Sequence, residues 1–315
     1  MIWRGAIAAA ALLAAAPAIA TQPDLRAQLE HLQALDAKVQ SAGWRLVRGN
    51  APYCHKVAPG VGLVLFDAAG FSDPKAVRDA LDLPGDIAVE AVASDAPSAR
   101  AGLRSAQPLS VVAGEDVTSL PAAAPGDYAR LVGLHDRVDA ALLATGKVGL
   151  VDAGGASISI AGEPVCVSRF ELLSSGTRAA ADGRRVVIGR ALVEAMPQDD
   201  LLAAALAHEL AHNLLGHRAR LTASGRSWGK VKATEREADR LSVWLLANAG
   251  YDPAAAVRFY RWWGPKFDLG IFATPDHDGW KARVRTVSAE IETMRTAQAA
   301  RGGRADWAND FSGAG

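Results

Sequence analysis

The residues best placed to do chemistry lie in the run Leu206-Ala207-His208-Glu209-Leu210-Ala211-His212-Asn213. On a helix, His208 and His212 project from one face a turn apart. Both imidazoles can then reach one zinc ion at about 2.0–2.1 Å. Glu209, beside the first histidine, can reach a water at an open coordination position without being a ligand itself. This H-E-x-x-H order points to metal-assisted hydrolysis. The plain alternative buries two imidazoles and a carboxylate on an apolar helix without partners, which is costly. A catalytic zinc has three protein ligands, so a third must come from elsewhere. Thr234-Glu235-Arg236-Glu237-Ala238-Asp239 offers one, and the residues alone leave Glu235 and Glu237 as alternatives. Asp239 shares a helical face with Glu235.

The elements that position these groups are legible as patterns. Residues 199–215 read as a buried helix, apolar nearly all round, with Asp199 or Asp200 to cap it and Gly216 to end it. A second helix is expected from Thr234, where Thr234 and Glu237 fit a capping box that puts Glu235 in the first turn, and it ends at Gly250. Leucines 25, 29, 32 and 35 predict a helix over 23–40, followed by a strand at 44–47. Strands are expected at 63–66, 87–92, 109–112, 148–151 and 157–160, with a helix at 128–143. Val167, Phe170 and Leu172, then Val186-Val187-Ile188, read as a hairpin or a pair of strands. The polar, glycine-rich chain after about Ala300 predicts a disordered tail over 301–315.

The chain has 315 residues, with 34 basic and 34 acidic side chains and a pI near 7.1. It therefore has no broad basic field, and nucleic acid is not an expected partner. Residues 1–20 carry one charge, Arg4, before an Ala/Leu/Ile run that closes on Ala18-Ile19-Ala20. That predicts a signal peptide, an exported periplasmic protein, and no transmembrane segment in the mature chain. In an oxidising compartment the two cysteines, Cys54 and Cys166, readily pair; two buried free thiols are the alternative.

Two resemblances add to this. Residues 88–117 resemble the centre of a PDZ domain, with Ala96-Pro97 and Ala101-Gly102-Leu103 at its turn and short helix and Gly60-Val61-Gly62-Leu63 as a candidate carboxylate loop. A PDZ-like domain would take a C-terminal peptide at its strand edge. Residues 165–295, with HELAH, EREAD and Ala249-Gly250-Tyr251-Asp252-Pro253, resemble the HtpX-like and CAAX-prenyl-protease group of gluzincin zinc metallopeptidases. That resemblance implies Glu235 as third ligand beside His208 and His212, and Glu209 as general base. It implies Asp239 as the partner of a ligand histidine, and His277 as oxyanion helper with Arg283 six residues on. The family's substrate-binding edge strand falls at Ala179, Ala180 and Ala181.

The expectation is an α+β chain: a mainly helical gluzincin domain with a small sheet, plus a β-rich PDZ-like domain. Its units are a signal peptide at 1–20, an N-terminal helix and strand at 21–59, a PDZ-like domain at 60–164, the peptidase at 165–300 and the tail. The expected activity is that of a zinc metalloendopeptidase with one Zn2+ per chain, cleaving protein or peptide substrates in envelope quality control. The rivals are a binding factor dominated by the PDZ-like part, and a protease kept latent by residues 267–279 or the tail.

Overall fold

The computed structural model describes residues 24–267 and 278–312. The expected signal segment, His277 and most of the proposed latency loop lie outside them. The first element is the helix α1 (Leu25–Asn50), capped by Asp24, whose carboxylate accepts from the Ala27 N–H at 2.7 Å. It runs well past the expected end at 40, so the expected strand at 44–47 is its last turns. The reason is packing. A Cβ at Gly43 would come within 2.3 Å of the Phe170 ring; one at Gly49 would lie 2.4 Å from the Asn248 carbonyl oxygen. These glycines let α1 lie against its neighbours, which outweighs their poor helix propensity of roughly 1 kcal/mol each.

After Cys54 the chain enters a β-rich insert. Its elements are β1 (Val57–Gly60), β2 (Leu63–Asp67), α2 (Pro74–Leu81), β3 (Ile87–Val92), α3 (Pro97–Arg100), β4 (Leu109–Val112), β5 (Glu115–Asp116), α4 (Ala129–Thr145), β6 (Lys147–Asp152), β7 (Ser157–Ala161) and β8 (Glu163–Cys166). The five expected strands and the expected helix fall on β2, β3, β4, β6, β7 and α4. The strands pair as β2-β3 and as a four-stranded sheet β5-β4-β6-β7. Leu65, Val89, Val112, Leu134, Leu142 and Leu150 form a core of their own between them. Where the chain leaves the insert, β8 returns antiparallel to β1 with Cys166 opposite Val57. The Cys54–Cys166 disulfide closes this neck, with Cα atoms 5.6 Å apart and a sequence separation of 112. A loop of that length is worth roughly 4–5 kcal/mol in the chain-entropy model.

The remainder comprises β9 (Arg169–Leu173), β10 (Ala179–Ala181), β11 (Arg185–Gly189), α5 (Arg190–Ala195), α6 (Asp199–Leu214), α7 (His217–Ser224), α8 (Trp228–Asn248), α9 (Ala255–Phe267), α10 (Trp280–Ala300) and α11 (Trp307–Asp310). The architecture is α+β, with helices dominating this half. The sheet order is β10-β11-β9, and β9 runs parallel to β11. The apolar stretches around Phe170 and Val187 are thus parallel neighbours, and the hairpin is β10–β11. α6 is buried over Leu201–His208, Leu210 and Ala211, packed against α1, α8, α9 and the sheet. Neither Asp199 nor Asp200 caps it; Asp200 instead accepts from Arg258 Nε at 3.0 Å. α8 starts at Trp228, capped by Ser227, so Glu235 sits in the body of the helix rather than in its first turn. Thr234 Oγ1 bonds back to the Val231 carbonyl at 2.7 Å and caps nothing.

The tail over 301–312 is docked, contrary to the expected disorder. Trp307 is buried and donates its indole N–H to Asn50 Oδ1 at 3.0 Å. Phe311 packs edge-on against Trp244 of α8, with ring centroids 6.5 Å apart. An aromatic anchor with a satisfied N–H outweighs the entropy of ordering a short polar segment.

One buried group makes stability depend on pH. Burial pushes the Glu90 carboxyl of β3 up to about 8, with Asp36 of α1 adding to it; Asp36 is itself raised to about 6 by burial. The folded protein holds a proton on Glu90 that the unfolded chain gives up near pH 4.3, so stability falls as pH rises from about 4.5 to 8. Glu90→Gln removes the Glu90 share of that dependence and leaves the share of Asp36. Its melting temperature relative to wild type is expected to be higher at pH 8.5 than at pH 5; an equal difference at both pH values refutes the assignment.

Candidate metal centre

The apolar surround of α6 forces the direction of its two imidazoles. His208 and His212, a turn apart, point towards α8, and their Nε2 atoms lie 3.2 Å from each other. From α8, Glu235 closes the triangle: Oε2 is 3.2 Å from His208 Nε2 and Oε1 is 3.4 Å from His212 Nε2. Of the two glutamates the sequence left open, this one faces the histidines. Glu237 is turned away, against His217 and Arg220.

The donor set fits a divalent cation. The Nε2–Nε2 separation of 3.2 Å is close to the roughly 3.3–3.4 Å between ligand atoms of a tetrahedral ion bound at about 2.0–2.1 Å, and the two Glu235 oxygens face one nitrogen each at 3.2 and 3.4 Å. Two imidazoles and one carboxylate are a zinc-type set with room for a fourth position. His208, His212 and Glu235 form the one such group among the described residues. The two histidines together hold the Glu235 carboxyl well below the usual range despite its burial.

Behind His208 stands a buried network. Its Nδ1 faces Asp239 Oδ1 at 3.0 Å, one turn along α8 from Glu235. Asp239 also accepts from Arg283 of α10 (Nε to Oδ2 2.8 Å, Nη2 to Oδ1 2.5 Å) and from the Tyr260 hydroxyl of α9 at 2.5 Å. Arg283 reaches Tyr260 Oη as well, at 2.8 Å. Burial alone would raise the Asp239 carboxyl, but the Arg283 guanidinium and His208 hold it far down. Burial would likewise lower the His208 imidazole, but Asp239 and Glu235 carry it up to about 10 when a proton is the only cation present. Asp239 accepts only, so the His208 hydrogen on Nδ1 stays in place, and Nε2 is the nitrogen that would give its lone pair to a metal in place of the proton.

Behind His212 stands a residue the sequence reading passed over. Gly216 takes a left-handed turn at φ +65 between α6 and α7, which brings His217 back beneath His212. The two Nδ1 atoms are 2.8 Å apart, and His217 Nε2 lies 2.8 Å from Glu237 Oε2. Arg220 Nη1 donates to the same oxygen at 2.7 Å. Burial pushes the His217 imidazole down, while Glu237 is drawn to about 2 by His217 and Arg220 in spite of its burial. A third histidine five residues after the second was the signal. Helical periodicity does not reach across the glycine, so spacing gave it no partner. Tyr260 carried no motif at all.

Other expected residues take these places. Glu209 lies on α6 and is half-buried. Ala179, Ala180 and Ala181 form β10 at the edge of the sheet, packed on α6. Asn213 fixes that edge to the metal helix: Oδ1 accepts from the Gly183 N–H at 2.7 Å, and Nδ2 donates to Ser168 Oγ and to the Arg185 carbonyl, both at 3.0 Å. His277 is outside the described residues. Its neighbour Asp278 is held by Lys232 at 2.9 Å and by Arg236 of α8.

Residues 178–229 match the model of peptidase family M48. The match spans β10, β11 and the whole of α6 and α7, and it supports a zinc metallopeptidase. It ends before Glu235, so the third ligand rests on the triangle of distances. No curated protein matches the chain.

The Asp239 network predicts a metal-affinity effect. Asp239→Asn is expected to weaken zinc binding about 10–100-fold in competition with a chromophoric chelator. It also leaves the Arg283 guanidinium buried without its counter-charge, at a cost of about 3–5 kcal/mol in unfolding. Unchanged zinc affinity contradicts the role given to Asp239.

Proposed function

We propose that this chain is a zinc-dependent endopeptidase in which His208, His212 and Glu235 hold the metal and Glu209 is the general base. The observation that carries the reading is the convergence of two imidazole nitrogens and one carboxylate, from the M48-matching helix and its neighbour, on one point. Zinc bound there supplies Lewis-acid polarisation of the scissile carbonyl and acidifies water. Glu209, half-buried and beside His208, takes the proton of the attacking water and passes it to the leaving amine. His277 assists the oxyanion, and Arg283 acts through Asp239. An extended substrate adds as a further strand along Ala179, Ala180 and Ala181 of β10.

The insert is read as PDZ-like. In support, Gly62 with φ +66 lies just before β2, Ala96-Pro97 opens α3, and β2 pairs with β3 while α4 packs on it. The Leu65 N–H of β2 is bonded to His135 Nε2 of α4 at 3.3 Å. A chain terminus adding to that edge must displace this contact, which favours cleavage over peptide capture as the main activity.

We further place the protein in the periplasm, in envelope quality control. The apolar leader and the Cys54–Cys166 disulfide support an oxidising, exported setting. No helix among the described residues is long and apolar enough to cross a membrane.

Glu209→Gln tests the assignment. It is expected to keep one zinc per chain while casein cleavage falls by about 10²–10⁴-fold. Near-normal cleavage by the purified variant refutes it.

A further inference from the structure

The two ligand histidines are supported by different devices, and only that of His208 follows the usual pattern of an imidazole backed by a carboxylate. We infer that His217 is a positioning residue for the metal centre: it relays Glu237 to His212 and fixes the tautomer in which His212 Nε2 faces the metal. This rests on the metallopeptidase reading above.

The argument follows the hydrogens. His217 Nε2 lies 2.8 Å from Glu237 Oε2, and a carboxylate there accepts only, so His217 carries its hydrogen on Nε2. Arg220, donating to the same carboxylate at 2.7 Å, fixes Glu237 as the acceptor of both. Neutral imidazole has one N–H, so His217 Nδ1 is left with a lone pair. The His212 Nδ1 facing it at 2.8 Å must then be the donor, which leaves the His212 lone pair on Nε2, at the vertex of the triangle with His208 and Glu235. In the chain Arg220–Glu237–His217–His212 each donor meets an acceptor. His217 and Glu237 are 1% and 2% exposed, so water does not compete for these bonds, and a group buried this deeply without a partner would be costly. The rings of His212 and His217 meet edge to face, with centroids 4.8 Å apart. His217 can turn neither way without breaking one of its two bonds.

The pattern gives a positioning role, since His217 touches neither substrate nor metal. Phenylalanine fills the same space without an acceptor. His217→Phe is expected to weaken zinc binding by about 10–100-fold in chelator competition, and to lower the melting temperature of the zinc-free protein because Glu237 and His212 each lose a buried partner. His217→Gln, whose amide oxygen can accept from His212, is expected to recover part of that loss. Glu237→Gln, which keeps an acceptor but not the charge, is expected to fall between wild type and His217→Phe. Long-range 1H–15N spectra of the zinc-loaded proteins should show His212 with its hydrogen on Nδ1 in wild type and a displaced or exchange-broadened Nδ1–H signal in His217→Phe. Zinc affinity within threefold of wild type in both His217→Phe and Glu237→Gln, with the His212 spectrum unchanged, overturns the relay and leaves the peptidase reading standing. If His217→Phe does not fold, Glu237→Gln decides alone. Wild-type protein that binds no zinc overturns the peptidase reading and the relay with it.

Discussion

A helix that is apolar on every side can carry a polar group into the core only if a neighbour satisfies it. α6 carries two imidazoles there, and this requirement governs the rest of the structure. Its answer is α8, which crosses α6 with Glu235 and Asp239 one turn apart on the facing side. Glu235 meets both Nε2 atoms and Asp239 meets His208 from behind. Asp239 in turn is a buried carboxylate, and it draws Arg283 from α10 and Tyr260 from α9. Four helices are held in register by one demand for partners. A buried carboxylate with three donors and a cation is stable; the same group with any donor removed is a liability.

The other half of the molecule is attached through α1. The first turns of that helix belong to the insert, where Leu29 packs with Phe66, Val77 and Leu81, and its later turns belong to the core around α6 and α8. The glycines at 43 and 49 allow both halves to close on it. At its end, Asn50 donates to the Leu245 carbonyl at 3.0 Å and accepts from Trp307, so α1, α8 and the docked tail meet at one amide. The disulfide lies just beyond and staples the neck of the insert, so the insert is fixed both by packing and by a covalent closure.

Groups whose chemistry is local were legible in the sequence. His208, Glu209 and His212 declare themselves by spacing, and the apolar run around them declares a buried helix. The insert's strands are short runs between glycines, prolines and aspartates, and these also fell where expected. The failures are tertiary. The helix expected over 23–40 runs on to Asn50 because residues 44–47, which look strand-like alone, pack as helix against the core. Thr234 and Glu237 look like a capping box, but α8 begins at Trp228 behind the Ser227 cap, and its first turn, Trp228 to Val231, carries too little apolar pattern to announce it. The stretches around Phe170 and Val187 are open as a hairpin or a pair of strands, and nothing local chooses the second, with β10 between them in sequence and at the sheet edge. Asp199 and Asp200 have the composition of caps, yet Arg258 claims Asp200. The tail is polar enough to read as disorder, but two aromatic residues suffice to dock it.

The two sides of the metal triangle also differ in depth, and the difference matches what each must do. His208 is backed entirely by buried groups from α8, α9 and α10, so its position is set by the packing of the core. His212 is backed by a chain that ends at Arg220, which is half-exposed at the surface of α7. The next residue of α6, Asn213, holds the turn between β10 and β11, so the open sheet edge lies on this shallower side. Under the proposed function an extended chain would approach there, where backbone hydrogen-bonding groups are free, while a metal held by the triangle would have to stay in place. Placing the rigid support behind one imidazole and the sheet edge beside the other satisfies both requirements. Asn213 keeps them in register, because a shift of β10 cannot occur without pulling on the helix that carries the ligands.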